Sequence, residues 1–351
     1  MNLELNHGEG NPRNSEGSFV ELNDGRIMMI YTRYTGGDGW DHGEADLARC
    51  IFSPETKTWS APEIVIKNKA MNVMSVSLLR LQSGKIGMVY LEKTRLGESE
   101  YVDCRPWFRF SEDEGETWSE PIAMTDVPHA YLVFANDRLV QLKSGRLIIP
   151  GAFYHYGWSY GILFCFLSDD EGLTWRRSMH YCYPPHWISS GLTEPGIVER
   201  EDGSLLMWAR TNAGMQYRTF SYDGGEIWRE AIPASQWMSP ESPMNIKRNP
   251  WTGEMVAVWN DSDIWHGVIP EPCSWGRTPL VMAYSDGDGE YWHSHILVED
   301  APDRGFCYVG MLFPSWAKDH VFLAYCCGAN NGVLNDLKVN YVELKKSDRR
   351  P

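Results

Sequence analysis

Apolar residues in this chain fall in short runs bounded by polar turns, with no helical periodicity. FVELNDGRIMMIYT, beginning at Phe19, sets two apolar segments around a turn that carries Gly and charge. The same pattern returns as LLRLQSGKIGMVYL from Leu78, RLVQLKSGRLIIPG from Arg138 and GIVEREDGSLLMWA from Gly196. It returns again as NIKRNPWTGEMVAVW from Asn245, and as MLFPSWAKDHVFLAY from Met311, where the Gly is lost. A second phrase runs in phase with the first. It reads SEDEGETW at Ser111, SDDEGLTW at Ser168, SYDGGEIW at Ser221 and SDGDGEYW at Ser285, with a worn copy, SPETKTW, at Ser53. Short runs rich in β-branched and aromatic residues between Gly, Asp and Asn turns are the signal for strands.

The opening serines stand at 53, 111, 168, 221 and 285, so successive copies are 58, 57, 53 and 64 residues apart. Each unit predicts four strands; in the third these are 138–142, 146–150, 162–167 and a strand after Trp175. A period of this length with four strands per unit predicts a β-propeller. The expectation is an all-β, six-bladed propeller of four-stranded antiparallel blades, forming a single domain over residues 1–351. The sixth unit supplies three strands, 310–313, 321–326 and 337–344, and residues 2–6 are expected to add the fourth, closing the ring and covering its edges. The eight-residue phrase falls at the turn between third and fourth strands. There Ser and Asp side chains accept backbone N–H bonds, Gly supplies a positive φ, and Trp packs between blades. Recurrence in unit after unit argues that these Asp residues are structural, because a closed ring has one active centre.

Composition narrows the partners. The net charge is −15, which argues against nucleic acid or an anionic membrane but leaves room for a local arginine cluster binding a small anion. Of 16 Trp, the repeat accounts for five. The eight Cys form no CxxC motif, and Cys50, Cys165 and Cys326 sit in apolar runs, so they read as reduced thiols. The opening MNLELNHGEGNPR lacks the basic and apolar regions of a signal peptide, and runs such as 162–167 are too short to span a bilayer. A cytoplasmic location is therefore expected. No cofactor is implied. His293 and His295 have no evident third ligand, so no metal is implied either.

An antiparallel blade sends the phrase turns and the short NDGR-type turns to one end. The longer connections, 35–45, 93–107, 154–160 and 260–279, go to the other. Function concentrates in such loops. Strand order alone brings Arg13, Asp38, Asp41, Glu194, Arg210, Arg277 and Tyr308 to that second end, with Glu194 and Tyr308 just before the first strands of their blades. Three guanidiniums repel one another unless an anion lies among them, and arginine grips carboxylate with two parallel hydrogen bonds. A carboxylate-bearing small molecule or glycan is the implied partner. A Tyr beside a Glu can lose its proton as it attacks, and an Asp in a loop can serve as acid and then base. His129, His155, His186 and His266 are further residues of this end that read more readily as structural, and Trp40, Trp158 and Trp187 read equally as sugar-stacking walls or as core. Oligomeric state is not legible.

At these residues the sequence resembles the sialidase (neuraminidase) superfamily, whose Asp-box matches the recurring phrase. The resemblance covers nearly the whole chain. It implies a six-bladed propeller and a retaining exo-glycosidase acting on a terminal sialic acid or related nonulosonic acid, with a Tyr nucleophile. By that resemblance Glu194 in TEPGIVEREDGSLLMWAR assists the nucleophile, Tyr308 is the nucleophile, and Asp41 in GWDHGEADLARCIFS is the acid/base, with Asp38 as its competitor. Arg210 and Arg277 match two arginines of the carboxylate-binding triad. Arg13 takes the place of the first, although this chain reads NPRNSEG where the family usually reads Arg-Ile-Pro. The alternatives are a glycosidase or lyase acting on a uronate, the lyase with His129 or His266 as base, and a carbohydrate-binding propeller without turnover.

Overall fold

The computed structural model describes residues 1–97, 101–127, 129–154, 160–263, 266–286, 288–329 and 334–344. Among the described residues its regular structure is almost entirely antiparallel sheet, and a short 3-10 turn spans Pro272–Ser274. The fourth unit shows the pattern: Thr193–Glu199, Leu205–Arg210, Met215–Ser221 and Ile232–Met238 pair in chain order. The fifth repeats it with Asn245–Arg248, Met255–Asn260, Leu280–Ser285 and His293–Glu299. In the first unit, Asn14–Glu21, Ile27–Tyr34 and Ala45–Ser53 pair in order, and Thr58–Trp59 and Glu63–Ile66 share the outer edge. At the other end of the chain Gly305–Leu312, His320–Gly328 and Asp336–Glu343 form a sheet. Its fourth strand is Leu3–Leu5, antiparallel to Asp336–Glu343 with Leu3 opposite Val339 and Leu5 opposite Leu337.

Three stretches depart from the sequence reading. The connection expected over 93–107 is mostly strand: Ile86–Arg95 and Val102–Ser111 run through it, pairing Lys93 with Cys104, and leave only residues 96–101 between them. Cys104 and Phe108 bury one face while Arg105 and Arg109 are only partly covered, so this is an alternating strand whose charged members disguise it. The first strand of the third unit shrinks to Val140–Gln141, because Asp137 and Arg138 are drawn out of the ladder to inter-blade partners. An unforeseen strand, Tyr131–Val133, pairs antiparallel with Leu147–Tyr154. It also makes a parallel bridge to the previous unit at Cys104, merging the second and third units into one sheet.

Apolar side chains collect between units. One cluster joins Leu142 and Ile148 to Ile197 and Met207; another joins Val20 and Met28 to Leu78 and Met88. A third joins the first unit to the last, through Phe19, Phe52, Phe322 and Cys326. Each phrase tryptophan belongs to a different cluster: Trp59, Trp118, Trp175, Trp228 and Trp292. The cluster between the fifth and sixth units contains none, matching a sixth unit that lacks the phrase.

The phrase itself is a self-contained turn. In the third copy Gly172 N–H donates to Ser168 Oγ at 2.8 Å, and Thr174 donates to Asp170 from its N–H at 2.9 Å and its hydroxyl at 2.6 Å. Trp175 Nε1 donates back to the Gly172 carbonyl at 2.9 Å. The glycine is required twice over, for a φ of +92° and because a Cβ there would lie 2.2 Å from Phe108 Cε1.

Candidate active site

Backbone geometry selects the side chains at the opposite end. Glu16, Ser75, Asp137, Glu194 and Tyr308 all hold positive φ, at 57°, 55°, 62°, 46° and 58°. For Glu16, Ser75, Glu194 and Tyr308 this coincides with a register shift in the first strand of the unit. Glu194 and Tyr308 therefore lie inside their strands, at bulges, and not ahead of them as the sequence implied. A bulge re-aims one side chain out of the alternation. A non-glycine residue in the left-handed region costs about 1–2 kcal/mol, and such strain concentrates at functional sites.

Glu194 and Tyr308 meet. The Tyr308 hydroxyl donates to Glu194 Oε1 at 2.7 Å, and Arg210 Nη1 donates to Glu194 Oε2 at 2.7 Å and to the Tyr308 hydroxyl at 3.4 Å. Arg277 closes the group from the fifth unit. Its guanidinium lies 5.8 Å from the centre of the Tyr308 ring, and it donates to Cys307 Sγ at 3.3 Å and to the Glu241 carbonyl at 3.2 Å. Arg210 Nη2 also reaches Glu241 Oε1, at 3.2 Å. Burial pushes the Tyr308 phenol well above its ordinary value and Glu194 adds to the rise, while Arg210 and Arg277 oppose it. The resting phenol is neutral, and its hydroxyl hydrogen is directed at Glu194 Oε1. From below, Asn136 donates to the carbonyls of Gly17 at 2.7 Å and Tyr308 at 3.0 Å, fixing the strained residue across the sheets.

Arg13 and Asp41 form a second group. Arg13 Nη1 donates to Asp41 Oδ1 at 2.6 Å and to the Gly39 carbonyl at 3.3 Å, and Nη2 donates to Ser15 Oγ at 3.0 Å. Asn72 and Lys93 hold the loop by donating to the Asp41 carbonyl, each at 2.8 Å. Asp41 keeps 57% of its side chain exposed. Desolvation works against its charge, but Arg13 and Lys93 overcome it and hold the carboxyl down at about 2. Asp38, the competitor, instead caps its own turn by accepting from the Trp40 N–H at 3.1 Å.

The two groups are joined through the last unit. Cys307 and Cys326 are directly opposed on neighbouring strands and are free thiols. Cys307 takes the Arg277 bond; Cys326 takes Ser15 Oγ at 3.3 Å and the Glu16 N–H at 3.4 Å. Sequence reasoning missed Glu16, Ser75, Arg138 and Glu241. Of these, Arg138 is 2% exposed, donates to the Met244 carbonyl at 2.6 Å, and is lowered to about 10 by burial.

The other described candidates have partners of their own or lie exposed. His266 pairs with Asp261 at 2.8 Å and His293 with Asp286 at 3.1 Å. Trp40 and Trp187 are exposed, and His155 and Trp158 lie outside the described residues. Among the described residues no three His, Cys, Asp or Glu side chains group as metal ligands, and no helix is long and apolar enough to cross a membrane.

A family profile described as BNR repeat-like domain matches residues 30–321. The anhydrosialidase of Macrobdella decora is 32% identical over 249 residues, which span 61% of this chain and 30% of that protein. The sialidase of Bacteroides fragilis is 24% identical over 217 residues, 58% of this chain and 36% of that protein. The chain thus matches about a third of the length of these relatives. Among solved structures, a Dyadobacter fermentans protein of unknown function superposes with a TM-score of 0.76 at 16% identity, covering 98% of each chain. The intramolecular trans-sialidase of Ruminococcus gnavus superposes with a TM-score of 0.72 at 14% identity, covering 96% of each. A leech intramolecular trans-sialidase with bound 2,7-anhydro-Neu5Ac gives 0.72 at 14% identity, over 95% of this chain and 68% of that one. At these identities the superpositions speak to fold, and the fold is that of the sialidase propellers.

Proposed function

This chain belongs to the BNR repeat-like domain family within the sialidase superfamily, and from that premise we propose that it is a retaining exo-glycosidase. Its substrate is a glycan ending in sialic acid or a related nonulosonic acid. The six units are read as six blades of one closed ring. The apolar cluster shared by the first and last units supports this, as does the pairing of Leu3–Leu5 with Asp336–Glu343.

Arg210 and Arg277 receive the sugar carboxylate, and Arg13 turns to it from Asp41. Losing its guanidinium partner raises the affinity of Asp41 for a proton, so substrate binding itself prepares the acid. Tyr308 attacks the anomeric carbon, its phenolic proton passing to Glu194 Oε1, while Asp41 protonates the departing glycosidic oxygen. A neutral phenol avoids the repulsion that an anionic nucleophile would meet from the carboxylate of the sugar. Asp41, now a carboxylate, takes a proton from water as that water displaces Tyr308, and the phenolate recovers its proton from Glu194. Two displacements at one carbon retain configuration.

The observation that carries this reading is the Tyr308–Glu194 hydrogen bond at 2.7 Å, with Arg210 on the other oxygen of the same carboxylate. The test is hydrolysis of a fluorogenic sialoside beside a panel of uronides. Sialoside release that disappears in Tyr308→Phe, with ligand binding kept, is the expected result. Release from a uronide alone overturns the substrate, and binding without any turnover overturns the enzyme. Nuclear magnetic resonance of the product separates the free acid from the 2,7-anhydro sugar found with the leech protein.

A further inference from the structure

We propose that Glu16 is a third working carboxyl of this site, a positioning residue that governs how Arg13 is divided between Asp41 and the carboxylate of the substrate. The inference rests on the acidic-sugar reading above.

The backbone supplies the first argument. Glu16 occupies in the first unit the bulge that Glu194 and Tyr308 occupy in the fourth and sixth, with the same left-handed φ. One strained device therefore delivers three ionisable side chains to one end of the fold. A Glu gains nothing structural from such a place that a Gly would not give without strain.

The second argument is the company it keeps. Glu16 is 3% exposed, and its side chain accepts one hydrogen bond, from Ser75 Oγ to Oε2 at 2.6 Å. Among the described residues no cation lies within ion-pair distance of it. Arg13 nonetheless lies close enough to stabilise its charge. The Arg13 side chain and the Glu16 backbone are tied to one group, since Ser15 Oγ takes Arg13 Nη2 and contacts Cys326 Sγ, which also takes the Glu16 N–H. Arg13 thus has Asp41 in contact and also feels the charge of Glu16. The remaining charged groups around Glu16 are Asp41 and Glu194, which repel its charge, and Arg138. Tyr34, Tyr131, Cys104 and Cys326 complete its titratable surroundings.

Burial is the main influence on its proton. It lifts the Glu16 carboxyl from an ordinary 4.5 to about 7, against the pull of Arg13 and Ser75. Below that range Glu16 is neutral, and Arg13 is free to exchange Asp41 for the incoming carboxylate. Above it, ionised Glu16 competes for Arg13 and repels the substrate, so binding weakens as pH rises. The same shift sets the sign for stability. A carboxyl raised in the folded state stabilises the fold in its protonated form, and that contribution is lost as pH rises from the unfolded value toward the folded one.

The test measures calorimetric affinity for free sialic acid and thermal unfolding between about pH 5 and 9, in the wild type, Glu16→Gln and Ser75→Ala. In the wild type, affinity is expected to fall by about tenfold as pH rises through 7, the effect of one interacting charge that moves a pKa by about one unit. Glu16→Gln should flatten both that limb and the decline in melting temperature. Ser75→Ala removes a bond to the ionised form and should move the limb to higher pH. Equal pH dependence in wild type and Glu16→Gln overturns the role of Glu16 and leaves the acidic-sugar reading standing. Absence of sialic acid binding at every pH, in all three proteins, overturns that reading and the role with it.

Discussion

At one end of this molecule Asp113 satisfies its carboxylate within four residues of itself, taking Ser111 Oγ at 2.8 Å and the N–H and hydroxyl of Thr117 at 2.8 and 2.6 Å. At the other end Glu194 takes its hydrogen bond from Tyr308, 114 residues away. Both ends are built from acidic, aromatic and arginine side chains on the same strands. They differ in what the carboxylates need. A turn whose Ser and Asp acceptors are answered locally can be copied blade after blade. A carboxylate answered by Tyr308 from a distant strand as well as by Arg210 from the next one depends on the fold to hold it, and it can exchange partners with a ligand. The separation of structure from chemistry here is a matter of whether bonds close locally.

Four substitutions put that contrast at risk, from the largest effect to the smallest. Tyr308→Phe should reduce turnover on a sialoside on the order of 10³-fold or more while leaving ligand affinity nearly unchanged; retained turnover would place the chemistry elsewhere. Trp228→Ala, at a residue 2% exposed in the cluster between the third and fourth units, should lower unfolding free energy by about 3–5 kcal/mol in denaturant titration. Activity per folded molecule should not change, and a matching loss of activity would show that the two ends are coupled. Gly225→Ala must place a Cβ 2.4 Å from Ile148 Cδ1 at a φ of +91°, and a loss of about 2–3 kcal/mol is expected from strain and overpacking together. Asp170→Ala removes bonds confined to its own turn and should cost only about 1 kcal/mol, with kinetics untouched.

The same contrast explains what was legible in the sequence. The turns could be read because the bonds among their defining Ser, Asp, Gly and Thr lie within the phrase. Arg210, Arg277, Glu194 and Tyr308 could be placed at one end because strand order determines which end a residue occupies. Their contacts were not legible, since they depend on bulges. Glu16 and Ser75 gave no signal at all: glycine advertises a left-handed backbone, while Glu and Ser do not. The pairing of Arg13 with Asp41 depends on how residues 35–45 fold under Asn72 and Lys93, which no local pattern encodes. The strand through 93–107 was hidden by charged residues on its less buried face, and Tyr131–Val133 by its parallel bridge, a pairing that no hairpin turn announces.

The pairing of Leu3–Leu5 with Asp336–Glu343 has a consequence for biosynthesis. Leu3–Leu5 leaves the ribosome more than 300 residues ahead of its partner, since Leu3 faces Val339. At translation speeds of about 5–20 residues per second, Leu3 and Leu5 wait tens of seconds for a neighbour. Met1 and Trp59, which pack in the same cluster, wait beside them. Throughout that interval the nascent chain carries an unmatched strand and open aromatic surface. Its vulnerability to aggregation should therefore persist until Asp336–Glu343 has been synthesised, and holding factors that bind apolar segments would raise yield most before that point.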